Sequence, residues 1–168
     1  MVLAMIKQGD PLPDATLTES ISFGDSCPMP PQKLSAADLA KGKRIVIFGL
    51  PGAYTPTCSG RHVPGYLEQL DALRARGIDE VWCVSVNDGF VMAAWGREQN
   101  AIGKIRMLGD GSAELTRKLG LEVDIPGMGV RMRRCSLLVE DGVVTRVNVE
   151  EGPQFEVSNA ETMLKQLA

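Results

Sequence analysis

One thiol stands out by its neighbours. Cys58 follows Pro51-Gly52-Ala53-Tyr54-Thr55-Pro56-Thr57 and precedes a segment that reads as a helix over 59–76. That places a cysteine where an apolar strand ends, a proline-stiffened loop turns and a helix begins. The first turn of a helix carries unpaired N–H groups and the positive end of the helix dipole. A thiolate is favoured in such a place, and the thiolate is the nucleophile. The alternative for any free cysteine is a small buried hydrophobe. Here the polar loop, the helix start and the hydroxyls of Thr55 and Thr57 argue for chemistry.

Ionisation alone cannot make such a thiol fast. An ordinary thiol is already a few per cent ionised at neutral pH, so complete ionisation gains roughly 30-fold at most. A less basic thiolate is also a weaker nucleophile. The larger contribution must come from donors that hold a leaving group in the transition state. The local candidates are the Thr55 hydroxyl and the N–H groups of Thr57 and Cys58. A cation from elsewhere is also needed. Arg134 is the best choice, because it opens a strand after a glycine-rich loop and can be aimed at the end of the central strand. Its alternative is a solvated charge beside Arg131 and Arg133.

His62, the only histidine, lies one helical turn beyond Cys58. It could serve as a base, as in Cys–His enzymes. No carboxylate is spaced to orient it, and a structural role is preferred. Cys83, mid-strand among valines, and Cys135 read as packing. No C-x-x-C occurs among the four cysteines, and with a single histidine a metal site is not expected. No phosphate-binding glycine motif is present, so neither metal nor cofactor is expected.

The elements that position these residues follow from periodicity. The run 44–50 is apolar on both faces, as in the middle of an α/β sheet. After Cys58, Val63, Tyr66, Leu67, Leu70 and Leu73 form one helical stripe, with a kink expected at Pro64-Gly65. Strands are expected over 80–86 and 105–108, and helices after caps at Asp88 and Ser112. The stretch 124–130 reads as a glycine-rich loop. Two strands, 134–139 and 143–149, meet at Asp141-Gly142, a strong hairpin signal. Ser158-Asn159-Ala160-Glu161 has the form of a capping box for a last helix. Before the central strand, 16–17 and 21–23 look like short strands, Cys27-Pro28-Met29-Pro30-Pro31 like a loop, and Ser35 like the cap of a short helix. This order predicts a mixed central β-sheet flanked by helices, an α/β thioredoxin-like arrangement, in one domain spanning 1–168.

Composition excludes other classes. Charged residues are 23%, apolar residues 44% and the net charge is −3. Neither a nucleic acid nor a membrane is expected as partner. The apolar start, 1–6, lacks a basic region and is too short for a signal peptide. A cytoplasmic location is the expectation.

The pattern Pro51-x-x-x-Thr55-x-x-Cys58-Ser59-x-x-His62-x-Pro64-Gly65-Tyr66 resembles the peroxiredoxins, and more closely their type-five subfamily, called type II in plants. The likeness continues through 84–92 and Arg134-Cys135-Ser136 and covers nearly the whole chain. It implies a thiol peroxidase without metal or haem, acting on hydrogen peroxide and organic hydroperoxides. In that pattern Cys58 is the peroxidatic nucleophile, Thr55 and Arg134 hold the peroxide, and Pro51 shields the thiol. Members are usually homodimers. Two departures matter. Many members carry a resolving cysteine near the C-terminus, and residues 150–157 hold none. The sulfenic acid must then meet an outside thiol, such as glutathione with glutaredoxin, or Cys83 or Cys27 after movement. Cys83 matches a second cysteine of the plant-like branch, where glutaredoxin or thioredoxin is the usual reductant. The other departure is Gly89, where proline is common. A redox sensor or holdase on the same fold is the alternative from another class.

Overall fold

The computed structural model describes residues 4–167; residues 1–3, half of the apolar start, and Ala168 lie outside it. In chain order the elements are β1 (Thr16–Glu19), β2 (Gln32–Ser35), α1 (Ala36–Ala40), β3 (Arg44–Gly49), a π-helical segment (Cys58–His62), α2 (Val63–Glu68), α3 (Leu70–Ala75), β4 (Glu80–Ser85), α4 (Gly89–Glu98), β5 (Arg106–Gly109), α5 (Glu114–Lys118), β6 (Glu122–Ile125), β7 (Gly129–Met132), β8 (Cys135–Glu140), β9 (Val143–Val149) and α6 (Ala160–Leu167).

Seven strands form one sheet in the order β2-β1-β5-β4-β3-β8-β9, and β6 and β7 form a separate ribbon. β3 pairs in parallel with β4, and β4 with β5, while β8 runs antiparallel to β3. The sheet is therefore mixed. The residues of β3 alternate between two cores, as strand geometry requires. Ile45 and Ile47 pack with Leu17, Trp82, Leu137, α1 and α5, whereas Val46 and Phe48 pack with Tyr66, Leu73, Met92, Trp95 and Met163 on the other face. Both faces are thus covered, and that is why 45–50 is wholly buried.

The topology places the functional residues. The C-terminal ends of the neighbouring parallel strands β3 and β4 lie side by side, so the loops after them, 50–57 and 86–88, meet. β8 enters at that same edge, with Cys135 opposite Gly49, and β9 leaves there, with Val149 opposite Cys135. Arg134 and Glu150 therefore flank the loop that carries Cys58. The β8–β9 turn has Asp141 at φ 47° and Gly142 at φ 79°, the two left-handed residues of a tight hairpin.

Local expectations fail in five places. The helix 59–76 is not continuous. The turn at Cys58–His62 is π-helical, with the Val63 N–H donating to the Cys58 carbonyl. Pro64 sits at the start of α2, where its missing N–H costs nothing, and the helix breaks at Gln69 rather than at Pro64-Gly65. Ser112 does not cap α5. Its cap position is Ala113 at φ 57°, and Asp110 instead reaches forward, accepting from the N–H groups of Leu115 and Thr116 and from the Thr116 hydroxyl. At the last helix Asn159, not Ser158, accepts from Thr162 N–H. The glycine-rich 124–130 is the tip of the β6–β7 ribbon. The strand expected at 21–23 is only a single bridge from Phe23 to Pro28, and β1 instead pairs with Gln32–Ser35, beyond the prolines.

Asp110 is buried at 1% exposure and stands in for a missing cap. Asp110→Ala should cost about 2–3 kcal/mol of stability, from the lost cap and the orphaned donors. Urea unfolding measures this, and a change below about 0.5 kcal/mol, typical of a neutral surface position, would remove Asp110 from that role.

Candidate active site

Pro56 and Thr57 form the first helical positions, so Thr55 sits at the cap and Cys58 in the first turn. The Thr55 carbonyl accepts from Ser59 N–H at 2.9 Å. The N–H groups of Thr57 and Cys58 precede the first in-helix bond, as at any helix start. The loop before them is fastened at three points. Ala53 N–H donates to Asn87 Oδ1 at 3.0 Å, the Thr55 hydroxyl donates to the Gly52 carbonyl at 2.8 Å, and Arg131 donates to the Pro51 carbonyl at 3.2 Å. Tyr54 is held at φ 65°, a left-handed conformation that a bulky residue adopts only under constraint.

Cys58 is fully buried, and one guanidinium reaches it. Arg134 donates through Nη2 to Cys58 Sγ at 3.2 Å and through Nη1 to His62 Nδ1 at 2.9 Å. Arginine has only donors, so His62 Nδ1 must accept and the ring proton sits on Nε2. Nε2 faces the Ser158 carbonyl at 3.1 Å, an acceptor, which agrees. Burial first, and the neighbouring Arg134 charge second, lower the His62 pKa from 6.5 to about 3. The imidazole is therefore neutral, and its lone pair aims the guanidinium at the sulfur. Arg134 is 9% exposed, and no carboxylate pairs with it among the described residues. Phe155 packs edge-on against His62, its ring centroid 5.8 Å from the Arg134 guanidinium carbon.

A pocket of about 500 Å³ opens above this group. Pro51, Thr55, Pro56, Thr57, Arg133 and Arg134 line it, and β6 and the ribbon tip supply Val123, Ile125 and Met128.

The structure thus brings Cys58, Thr55, Thr57, Pro51 and Arg134 together, although Arg134 is 76 residues from Cys58 in sequence. Two expectations change. The Thr55 hydroxyl gives its proton to Gly52, so it offers lone pairs to the pocket rather than a free donor. His62, for which a structural role was preferred, is the acceptor that orients Arg134. Its spacing from Cys58 was visible, but the arginine that completes the contact comes from another strand. Asn87 also went unrecognised. Cys83 is fully buried opposite Phe48 and Met107, and burial raises its thiol pKa well above the ordinary range. Burial likewise pushes Cys135 up to about 12. Cys27 is exposed.

The Redoxin family model matches residues 7–164. Over 98% of this chain the sequence is 47% identical to the full length of Peroxiredoxin-2B from Arabidopsis thaliana. This chain is a type II-like peroxiredoxin. Over 99% of its length it is also 48% identical to 74% of the chloroplastic Peroxiredoxin-2E-2 of Oryza sativa. Reduced Prx3 from Vibrio vulnificus, solved in complex with hydrogen peroxide, superposes with a TM-score of 0.90 at 46% identity, covering 98% of this chain and all of that one. The expected thioredoxin-like arrangement is thereby confirmed. As a peroxiredoxin, the protein is a thiol-dependent peroxidase with an antioxidant role.

The neutral His62 has a consequence for stability. Its folded pKa is about 3 against 6.5 when exposed, so the unfolded chain binds the extra proton as pH falls. Stability is full above about pH 6.5 and declines below it. Between pH 6 and 5, above the range of carboxylate titration, the wild type should lose about 1 kcal/mol of unfolding free energy. A His62→Asn variant should be flat over that interval. Urea titrations at the two pH values test this, and equal slopes in the two proteins would show that His62 is not buried neutral.

Proposed function

We propose that Cys58 is the peroxidatic nucleophile, activated by Arg134 and served by Thr55, Thr57 and Pro51, and that glutathione with glutaredoxin regenerates it. The observation that carries this reading is a buried guanidinium whose polar partners are the Cys58 sulfur and a neutral histidine. A cation buried without a carboxylate needs an anion, and the thiolate is the one in reach.

The fork has five N–H donors, of which two are committed to His62 and Cys58. In this reading the others, with the N–H groups of Thr57 and Cys58, donate to the peroxide oxygens. Thr55 Oγ1 accepts the peroxide O–H, and Pro51 walls the thiol from bulk water. The sulfur lone pair attacks the nearer peroxide oxygen, and the O–O bond breaks. The departing oxygen takes a proton and leaves as water or an alcohol. Cys58 keeps the other oxygen as a sulfenic acid. The negative charge that moves onto the leaving oxygen is what Arg134 stabilises.

For regeneration, a glutathione thiolate attacks the sulfenic sulfur, water leaves, and a mixed disulfide forms on Cys58. A glutaredoxin thiol then attacks the glutathione sulfur and releases the Cys58 thiol. Three features support an outside thiol over an internal one. Residues 150–157 hold no cysteine. Cys83 is locked in β4, in contacts costing several kcal/mol to break. Burial also keeps Cys83 protonated and hence a poor nucleophile. Thioredoxin is the competing reductant. A cytoplasmic setting and a homodimer belong to this proposal: the cycle needs a thiol supply, and Tyr54 and Phe90 leave apolar surface that a second copy would cover. A peroxide sensor or holdase would share the geometry but stop after one equivalent of peroxide.

Arg134→Ala should lower the peroxide rate constant by about 2–4 kcal/mol of transition-state stabilisation. The loss should persist at pH 9–10, where an ordinary thiol is ionised, about 8.5 being its usual pKa. Stopped-flow reduction of hydrogen peroxide measures it. Recovery of the wild-type rate at high pH would limit Arg134 to ionising the thiol.

For the cycle, steady-state peroxide consumption should be sustained by glutathione plus glutaredoxin. A single stoichiometric turnover with that pair, and sustained turnover with thioredoxin alone, would contradict the assigned reductant.

A further inference from the structure

Glu150 is a carboxylate that the reaction does not use, yet it is 2% exposed and saturated with donors. Its Oε2 accepts from the Ser158 hydroxyl at 2.6 Å and from the N–H groups of Ser158, Val157 and Glu156 at 2.8, 2.9 and 2.9 Å. Its Oε1 accepts from Glu156 N–H at 3.0 Å. Burial opposes the charge, but the Ser158 hydroxyl and these N–H groups outweigh it and hold the carboxyl below its usual range. At neutral pH it is an anion gripping the turn 156–158.

That turn presents one atom toward the site. The Ser158 carbonyl faces His62 Nε2 at 3.1 Å and accepts from the Tyr66 hydroxyl at 2.9 Å. His62 in turn receives Arg134, and Arg134 reaches Cys58. The backbone closes the path, because Glu150 N–H donates to the Arg134 carbonyl at 2.9 Å. The result is a ring: Glu150 backbone to Arg134, guanidinium to His62, imidazole to Ser158, and Ser158 back to the Glu150 carboxylate.

We propose that Glu150 is a positioning residue for the peroxidase reaction: its carboxylate fixes the Ser158 carbonyl against His62 Nε2, which fixes the imidazole tautomer, which aims Arg134 at Cys58. The chemistry explains why an anion is needed at this place. The segment 150–158 contains no helix or strand after β9, and its exposed residues 151–154 give it no core of its own. Without the carboxylate, three N–H groups and a hydroxyl lose their acceptor, and the Tyr66 hydroxyl, with the Asn159 and Thr162 side-chain bonds to the Glu156 carbonyl, is what remains to hold the turn near the ring. A freed His62 could then place its proton on Nδ1, which would oppose Arg134 instead of receiving it.

This inference rests on the reading of Arg134 as the activating cation, and the test separates the two. His62 is the only histidine, so the imidazole signals of labelled protein belong to one residue. In the wild type they should show a single tautomer, protonated on Nε2. Glu150→Gln, which keeps the shape, and Ser158→Ala, which removes only the hydroxyl bond, should each show tautomer mixing. Glu150→Gln should slow peroxide reduction roughly tenfold, the effect of losing one or two buried hydrogen bonds. In an Arg134→Ala background the same substitution should cost nothing further, because the effect passes through Arg134. A purely structural role would leave the tautomer unchanged and would slow both backgrounds equally; either result overturns the proposal. Should Arg134→Ala alone prove as fast as the wild type, the reading of Arg134 fails first. Should Arg134→Ala be slow while Glu150→Gln keeps the wild-type rate and a single tautomer, only the role of Glu150 fails.

Discussion

A guanidinium buried without a carboxylate is the constraint around which this molecule is built. Arg134 carries a fixed charge into a place with little solvent, at a cost of several kcal/mol unless it is compensated. The compensation in the structure is a sulfur, an imidazole lone pair and the more distant ring of Phe155. None of these cancels the charge while the sulfur is a thiol. In the proposed reaction the charge is balanced by a Cys58 thiolate and then by the negative charge passing to a departing oxygen. In that proposal the same unpaired charge that is costly to bury is the one that serves the reaction.

The fold supplies the place for that charge. Parallel pairing of β3 with β4 sets two loops side by side, and the Asn87 amide oxygen ties one to the other. Antiparallel entry of β8 and exit of β9 at the same edge bring Arg134 and Glu150 to either side. Three stretches far apart in sequence converge on one end of the sheet. The π-helical turn fits this view: it lies where the Cys58 helix must satisfy Trp95 through Ser59, Arg134 through His62 and the ring restraint of Pro64 within the six residues 59–64.

Much of this was legible in the residues. The apolar run 45–50 could only be a strand covered on both faces, and the helix start at Cys58 was written in Pro56 and its neighbours. The Asp141-Gly142 hairpin and the caps at Ser35 and Asp88 follow from short-range rules, and they formed as those rules require. What stayed hidden depends on contacts across the fold. Ser112 looked like the better cap, but Asp110 emerges from the end of β5 and carries two oxygens to Ser112's one. Ser158 fitted a capping box, but the Glu150 carboxylate claimed its hydroxyl. His62 could be placed one turn from Cys58, yet its partner comes from β8's approach, which no local spacing reveals. The β2 strand was masked by the prolines before it.

In the proposed mechanism reactivity depends on the Arg134 contact rather than on access. Cys58 is fully buried and receives Arg134, while Cys27 lies exposed beside the Ser26 hydroxyl. Treating the reduced protein with less than one equivalent of hydrogen peroxide in the presence of a sulfenic-acid trap, followed by peptide mass spectrometry, sets the two thiols in direct competition. The account predicts the label on Cys58, with Cys27 essentially untouched. Label distributed in favour of the exposed Cys27 would contradict it.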